Sequence, residues 1–259
     1  KSDISADSSY VDSDMRKIQH IKNQKGIVVS TQNLFNSYNQ LRVNADLIQK
    51  NVEVMEAAAN AVQTQASIGM ATQADVLKAQ KNLQSIKSTQ TETLSSLETL
   101  RQNLCMMTGW SYNAQPEIKE VPQADLAAID QINLEADRQK ALENNYDLQY
   151  SRRALNNMQE NSTDKKNQER TVKNLEQSIS ASMTNLYNDI QQKKIAWQLA
   201  QAELATEQQS MSATETKRGL GMVSDLEYLQ AQSSFLGKQI AEKTANMALF
   251  QAVETYNWA

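Results

Sequence analysis

The sequence predicts an all-α protein made of two repeated, long antiparallel helical hairpins packed as coiled coils. Three observations carry this: a scarcity of turn residues, apolar side chains in heptad spacing, and a turn motif that occurs twice. The 259 residues include 6 Gly and 2 Pro, where an average chain of this length holds about 18 Gly. Turns depend on Gly and Pro, so few of them means few turns and long elements. Aromatic residues are 5% of the chain, and the apolar remainder leans on Ala, Leu and Met. That composition suits a thin seam between helices rather than a thick globular core.

Residues 1–13 are polar and turn-like. From Asp14 to about Ser67 only Gly26 opposes a helix. Leu34, Tyr38, Leu41, Ala45, Ile48, Val52, Met55, Ala59, Val62 and Ala66 alternate spacings of 4 and 3, a heptad seam. A helix of that length runs roughly 75 Å at the rise of an α-helix. Gly69 ends it as a left-handed cap. Thr72 restarts a helix with Asp75 three residues on, the spacing of a capping box. The return helix carries Val76, Ala79, Leu83, Ile86, Leu94, Leu97, Leu100, Leu104 and Met107 on one stripe and closes at Gly109. So short a turn forces the two helices to lie antiparallel.

Residues 110–131 hold both prolines, Pro116 and Pro122, and read as a linker. A shorter helix is expected from Ile132 to about Gln159. Asn161, Ser162, Thr163 and Asp164 read as a tight turn with N-cap residues. A second long helix then runs to Arg218 through Val172, Ile179, Met183, Ile190, Trp197, Leu204 and Met211. It stops at Gly219 and Gly221, restarts at Ser224 with Glu227 three residues later, and returns to Trp258. The organisation is therefore a first hairpin repeat (1–109), a linker (110–131) and a second hairpin repeat (132–259), with tips near 69–72 and 219–224.

Setting Gly69 on Gly221, an offset of 152 residues, lays ASIGMATQADVLKAQ (66–80) over RGLGMVSDLEYLQAQ (218–232). Leu34 then falls on Leu186, Leu47 on Leu199, Val52 on Leu204, Leu83 on Phe235 and Leu97 on Leu249. An ungapped register of this length is an internal duplication.

The duplicated segments IGMATQADVLKAQ and LGMVSDLEYLQAQ resemble the tip signature of outer-membrane efflux (TolC-like) proteins. That signature is an apolar residue, Gly, a Ser or Thr three residues on, an acid, then Leu and an Ala-Gln pair. The close at Leu104–Gly109 resembles the family's helix end, and ALENNYDLQ (141–149) resembles its repeat opening. The similarity covers most of 25–109 and 130–256.

The resemblance implies a subunit of a hollow α-helical barrel formed by a homotrimer. It further implies a passive conduit of a tripartite efflux or type I secretion system, located in the cell envelope and associated with an outer membrane. Its tips would dock to a periplasmic adaptor (membrane fusion protein) and through it to an inner-membrane pump. On that basis Gly69, Met70, Ala71, Thr72, Gly221, Met222, Val223 and Ser224 are expected to dock the adaptor. Asp75, Glu227 and Arg218 are expected at the channel entrance. The family's flanking Tyr and Arg at the second tip are matched here by Arg218 and Val223, which departs from a like-for-like gate. Two further departures bear on the membrane. The stretch Asn161–Arg170 and residues 1–13 lack the alternating pattern of a membrane strand. The counterpart of 132–159 in the first repeat would have to precede Lys1. Membrane contact is thus expected only through parts not evident in this chain.

The residues exclude several other classes. Net charge is −4 without a basic block, so no nucleic-acid footprint exists. No run approaches about 18 apolar residues, the length of a membrane helix. The single histidine, His20, has no ligand-spaced partners and reads as a solvated helix residue, so no metal and no cofactor are expected. No phosphate loop and no nucleophile triad can be assembled, so no enzyme is expected. The lone Cys105 sits in an apolar run as a small buried hydrophobe. Trp197 and Trp258 are expected to anchor helix packing. The alternative reading is a structural coiled-coil rod or scaffold with no transport role, which explains the heptads but not the matched tips.

Overall fold

The computed structural model describes residues 11–259, so the expectation for the first ten residues lies outside the described part. Helix accounts for 84% of it. The helices are α1 (Ser13–Ser67), α2 (Gln73–Met107), α3 (Leu126–Asp130), α4 (Leu134–Asn144), α5 (Tyr146–Asn157), α6 (Thr163–Gly219) and α7 (Asp225–Trp258). The two hairpins are α1–α2 and α6–α7, and the described residues contain no strand.

Two elements differ from the sequence expectation. The helix expected over 132–159 is two helices, α4 and α5. At the break Asn145 adopts an extended conformation, and its side chain accepts from the amides of Asp147 and Leu148 at 3.1 Å each. An N-cap side chain thus starts a new helix without Gly or Pro. The linker also contains α3, capped by Asp125 Oδ1, which accepts from the Ala127 and Ala128 amides at 2.9 and 3.2 Å.

The chain forms two compact units. The first comprises residues up to Gln32, Ala124–Gln192 and Phe250–Ala259. Here the start of α1 pairs antiparallel with α5. Asp12 accepts from the Met15 amide (2.9 Å), Arg153 Nε (2.6 Å) and Asn157 Nδ2 (2.8 Å). Further along, Lys22 meets Asp147. Met15, Leu148, Ile179, Met183, Ile190 and Tyr256 are buried in this unit. Tyr256 donates its hydroxyl to Asp137 at 3.1 Å.

The second unit comprises Asn33–Gln123 and Lys193–Leu249. Its side-chain contacts give the helix order α2, α1, α7, α6. Glu56 of α1 pairs with Lys87 of α2 at 2.7 Å. Val43 and Leu47 of α1 pack with Leu236, Ile240 and Met247 of α7. Glu203 and Trp197 of α6 bind Lys238 and Glu242 of α7 at 2.8 and 2.6 Å. The linker is tied down on this layer: Arg42 donates to the Ile118 carbonyl (2.9 Å) and Asn246 to that of Pro122 (3.2 Å). Buried Arg101 donates to the carbonyls of Tyr112 and Ala114.

This order explains how the α1 seam is buried. Ala45 and Ile48 of the predicted stripe lie with Thr93 and Leu94 of α2. They are half-buried, whereas Val43 and Asn39, which lie outside that stripe, are nearly solvent-free. A helix with a neighbour on each side needs two seams, and α1 carries both.

Candidate functional site: the hairpin tips and the edges of the helical layer

Both hairpin turns are built alike. At the first, Gly69 has φ +79°; its amide donates to the Ala66 carbonyl at 3.1 Å, and the Met70 amide to that of Gln65 at 2.8 Å. At the second, Gly221 has φ +72°; its amide donates to Arg218 at 2.9 Å, and that of Met222 to Lys217 at 3.0 Å. Each pair is the double bond of a Schellman motif, which needs a residue at positive φ and therefore favours Gly.

The side chains flanking each glycine point outward. Met70 is 75% exposed and Met222 70%, and Ile68 and Leu220 are exposed beside them. Sequence reasoning named the methionines but missed Ile68 and Leu220. The signal was present: both stand immediately before the tip glycine in the duplicated motif. Ala71 and Val223 are half-buried at the turns, while Thr72 and Ser224 are exposed and begin the return helices.

Both return helices start with a complete capping box. Asp75 Oδ2 accepts from the Thr72 amide (2.9 Å) and hydroxyl (2.6 Å), while the Asp75 amide donates to Thr72 Oγ1 (3.2 Å). Glu227 Oε2 accepts from the Ser224 amide and hydroxyl, both at 2.8 Å, and the Glu227 amide donates to Ser224 Oγ at 3.2 Å. The Thr72 hydroxyl, then its amide, hold Asp75 below the usual carboxylate range. The Ser224 amide, then its hydroxyl, do the same for Glu227. Both acids are therefore ionised at neutral pH. Arg218 is occupied within its own hairpin, donating to Asp225 Oδ1 at 3.0 Å and lying 3.7 Å from the Tyr228 ring centroid. Neither partner was identified in the sequence.

The two turns share one direction. Val43 packs with Ile240 and Met247, and Ser233 Oγ bonds Asn51, so α1 and α7 run antiparallel. From the Asn51–Ser233 pair the first tip lies about 27 Å on along α1, and the second about 18 Å back along α7.

The layer ends on α2 and α6. Within the second unit each is joined by the contacts above to a single neighbouring helix, while the earlier part of α6 pairs with α4 and α5 in the first unit through Arg138–Thr184 and Arg152–Glu176. Each shows large apolar side chains to solvent in the second unit: Leu77 and Leu94 on α2, Ile195 and Leu199 on α6. Elsewhere, Trp197 is buried and bonds Glu242, and Trp258 donates to Gln32 at 2.9 Å beneath the Lys25 ammonium. Cys105 is buried and unpaired, and His20 is exposed. Among the described residues no group of three His, Cys, Asp or Glu side chains could hold a metal ion. No helix among them is long and apolar enough to cross a membrane.

No family model and no curated protein sequence matches this chain. Solved structures do. The structure of CusC, described for transmembrane channel formation, matches with a TM-score of 0.60 at 15% identity, over 88% of this chain and 77% of that one. The outer membrane protein VceC from Vibrio cholerae matches with a TM-score of 0.56 at 12% identity, covering 93% and 72% of the two chains. The outer-membrane channel OprN matches at 0.56 and 11% identity, covering 94% and 68%. The fold is TolC-like. Here the connection from α5 to α6 is only the segment 158–162, with Asn161 at φ +59° and Ser162 Oγ capping α6 through the Lys165 amide at 3.0 Å. The polar stretch singled out in the sequence as Asn161–Arg170 is thus a tight turn and the first turns of α6.

Proposed function

We propose that this chain is the duct-forming subunit of a tripartite efflux or secretion assembly, a passive conduit without chemistry of its own. It would work in the extracytoplasmic cell envelope, associated with the outer membrane, and dock a periplasmic adaptor through its hairpin tips. The observation that carries this reading is the open layer α2–α1–α7–α6 with apolar side chains on both outer helices. A layer with two unlike, unsatisfied edges associates head to tail, and such contacts close into a ring when the rotation allows it. Three copies is the number the TolC-like fold suggests.

The tips support docking. Ile68, Met70, Leu220 and Met222 form two matched apolar pairs on rigid Schellman turns. Met adapts to the surface it meets, and the fixed turn limits the entropy lost on binding. Asp75, Glu227 and Arg218 stand next to these turns, where a ring would gather them around its mouth. A rod would bury the same heptads but would have no use for two exposed apolar tips facing one way.

The test is the mass of the chain in solution by light scattering, with a parent protomer of 29.1 kDa. The expected result is a trimer that Ile195→Lys with Leu199→Lys converts to monomer while helicity is kept. A parent that stays monomeric at high concentration, or a trimer untouched by those charges, would overturn the edge-to-edge assembly.

A further inference from the structure

Within the second unit the side-chain contacts fix which residues of the four helices stand at the same height. Trp197 of α6 bonds Glu242 of α7, and Val43 of α1 packs with Ile240 and Met247, which bracket Glu242, so Trp197 and Val43 are level. Gln49 of α1 bonds Gln90 of α2. Six residues farther from the tips these two antiparallel helices reach Val43 and Ser96. Ser96 of α2 therefore shares the level of Trp197 on α6.

The faces turned away from the layer carry unlike side chains at this height. An α-helix turns about 100° per residue, so Ile195 and Leu199, each two residues from Trp197, lie on the far side of α6 from α7. They are 66% and 60% exposed. On α2, Ser96 stands about 180° round from Lys87, the partner of Glu56 on α1. It is exposed and small, as is Thr99 one turn on. Nearer the tips the sizes reverse. Leu77 of α2, nineteen residues from Ser96, is 58% exposed beside buried Val76. The same step along α6 from Trp197 ends at Thr216, in a shallow hollow that Ser212, Ala213 and Thr216 help to line. The two heights are about 28 Å apart.

We propose that the free face of α6 in one copy docks on the free face of α2 in a second copy, with no stagger along the helices. Ile195 and Leu199 seat over Ser96 and Thr99 of the second copy, and that copy's Leu77 seats in the hollow at Ala213 and Thr216. This rests on the duct reading and adds the register of its contacts. A ring that closes relates copies by rotation alone, so each residue meets the next copy at its own height. Large side chains then face small ones at both heights and in both directions, as in layers that interdigitate. A different protein would not require the two free faces to match each other. The hollow is lined by α6 alone, so it has no second wall to enclose a small molecule, whereas a neighbouring helix supplies one.

The experiment is disulfide trapping in the whole chain, read beside its mass in solution. Ser96→Cys with Leu199→Cys, and Leu77→Cys with Thr216→Cys, should each give covalent dimers and trimers on mild oxidation. Ser88→Cys with Leu199→Cys, displaced by about 12 Å along α2, should not. The parent is the blank, since Cys105 is buried. Ala213→Leu fills the hollow and should weaken trimer association at least about tenfold. Adding Leu77→Ala to the same chain should restore it. A trimer in which the displaced pair links, or the matched pairs stay unlinked, overturns the register and leaves the duct reading standing. A trimer indifferent to Ala213→Leu equally places Leu77 elsewhere. A chain that stays monomeric and unlinked overturns both readings and leaves these faces to a different protein.

Discussion

Arg218 reaches across the second tip to Asp225 at 3.0 Å while its guanidinium lies over the Tyr228 ring. The 152-residue repeat puts Ala66, Gln73 and Val76 at the matching places of the first tip. Val76 is buried. Both turns share the Schellman bonds and the capping box; only the second adds a charged clasp at the surface, where the first has a buried apolar residue.

The two closures should respond differently to salt. Exposed ion pairs are screened, whereas buried apolar contacts are not. Arg218→Ala should speed hydrogen exchange of the amides over 219–223 at low ionic strength, with little effect on 68–71 or on the melting temperature. In about 1 M salt the parent should lose most of that protection difference. Exchange at the second tip that ignores both the substitution and the salt would show that the Schellman bonds alone hold it.

Glycines at the tips and within helices should behave oppositely. A Cβ at Gly221 meets nothing within 4 Å, yet φ is +72°, so Gly221→Ala should destabilise by about 1 kcal/mol through backbone strain alone. Gly26 lies inside α1, and a Cβ there also meets nothing within 4 Å. Gly26→Ala should stabilise by about 0.5–1 kcal/mol by removing a flexible residue from the helix interior. Urea denaturation of the two variants checks both signs, and a shared sign would contradict the assignment.

Cys105 reports on the linker. It is 1% exposed, covered where its Sγ lies 3.7 Å from the Ala114 carbonyl. Arg101 holds that segment through two carbonyls and is itself held by Glu98, Nε to Oε2 at 2.7 Å. Arg101→Ala should free residues 110–114, and Cys105 should react with a maleimide at least about tenfold faster, the change expected from about 1.4 kcal/mol of lost local stability. The control Arg138→Ala, which alters the first unit, should leave the rate unchanged.

What was legible in the sequence was local. Long helices followed from missing turn residues, and both tips followed from Gly, Thr or Ser and an acid at fixed spacing, because a cap is settled within one turn of chain. What was not legible needed a neighbour. The second seam of α1, with Val43 and Asn39, is visible only once α7 lies beside it. The break at Asn145 and the short helix after Asp125 are side-chain caps in polar stretches with no glycine, and polar residues there read equally well as helix surface. Tyr228 became a partner of Arg218 only because the turn folds one back over the other. The stretch Asn161–Arg170 was legible for the same local reason as the tips: the cluster at 161–164 reads as a turn with N-cap residues, and Ser162 Oγ caps α6 through the Lys165 amide.

Acid should loosen both tips. The capping-box contacts depress Asp75 and Glu227 in the folded chain. A depressed carboxyl contributes stability that is fully present above its unfolded pKa, about 4, and is lost as pH falls through the lower folded value. Between neutral pH and about pH 5 the protection of the tip amides, taken relative to the intrinsic exchange rate at each pH, should therefore be insensitive, and below about pH 4 that protection should fall. Asp75→Asn with Glu227→Gln should flatten this profile, since amides cap without titrating. A parent whose tip protection, relative to the intrinsic rate, is flat from about pH 5 to pH 2 would remove the capping carboxylates as the cause.

The same pair of acids gives the prediction that bears most on transport, and it rests on the duct reading. Asp75 and Glu227 begin their return helices one turn past the two tips, and both tips point the same way along α1 and α7. Closing copies of this layer into a ring would bring both acids of every chain around one mouth. In the free chain the contacts of each box converge on one carboxylate oxygen, Oδ2 of Asp75 and Oε2 of Glu227. Capping therefore does not neutralise the group, and the helix N-terminus favours its ionised form. A ring of fixed negative charge at a narrow opening admits cations and repels anions. Asp75→Asn with Glu227→Gln should lower the cation selectivity of the assembled duct without changing its helicity, since the amides still cap. Reversal potentials in asymmetric salt across a bilayer holding the full assembly measure this directly. Selectivity equal to the parent, in an assembly of proven trimeric mass, would reduce both acids to helix caps and place the entrance at other residues.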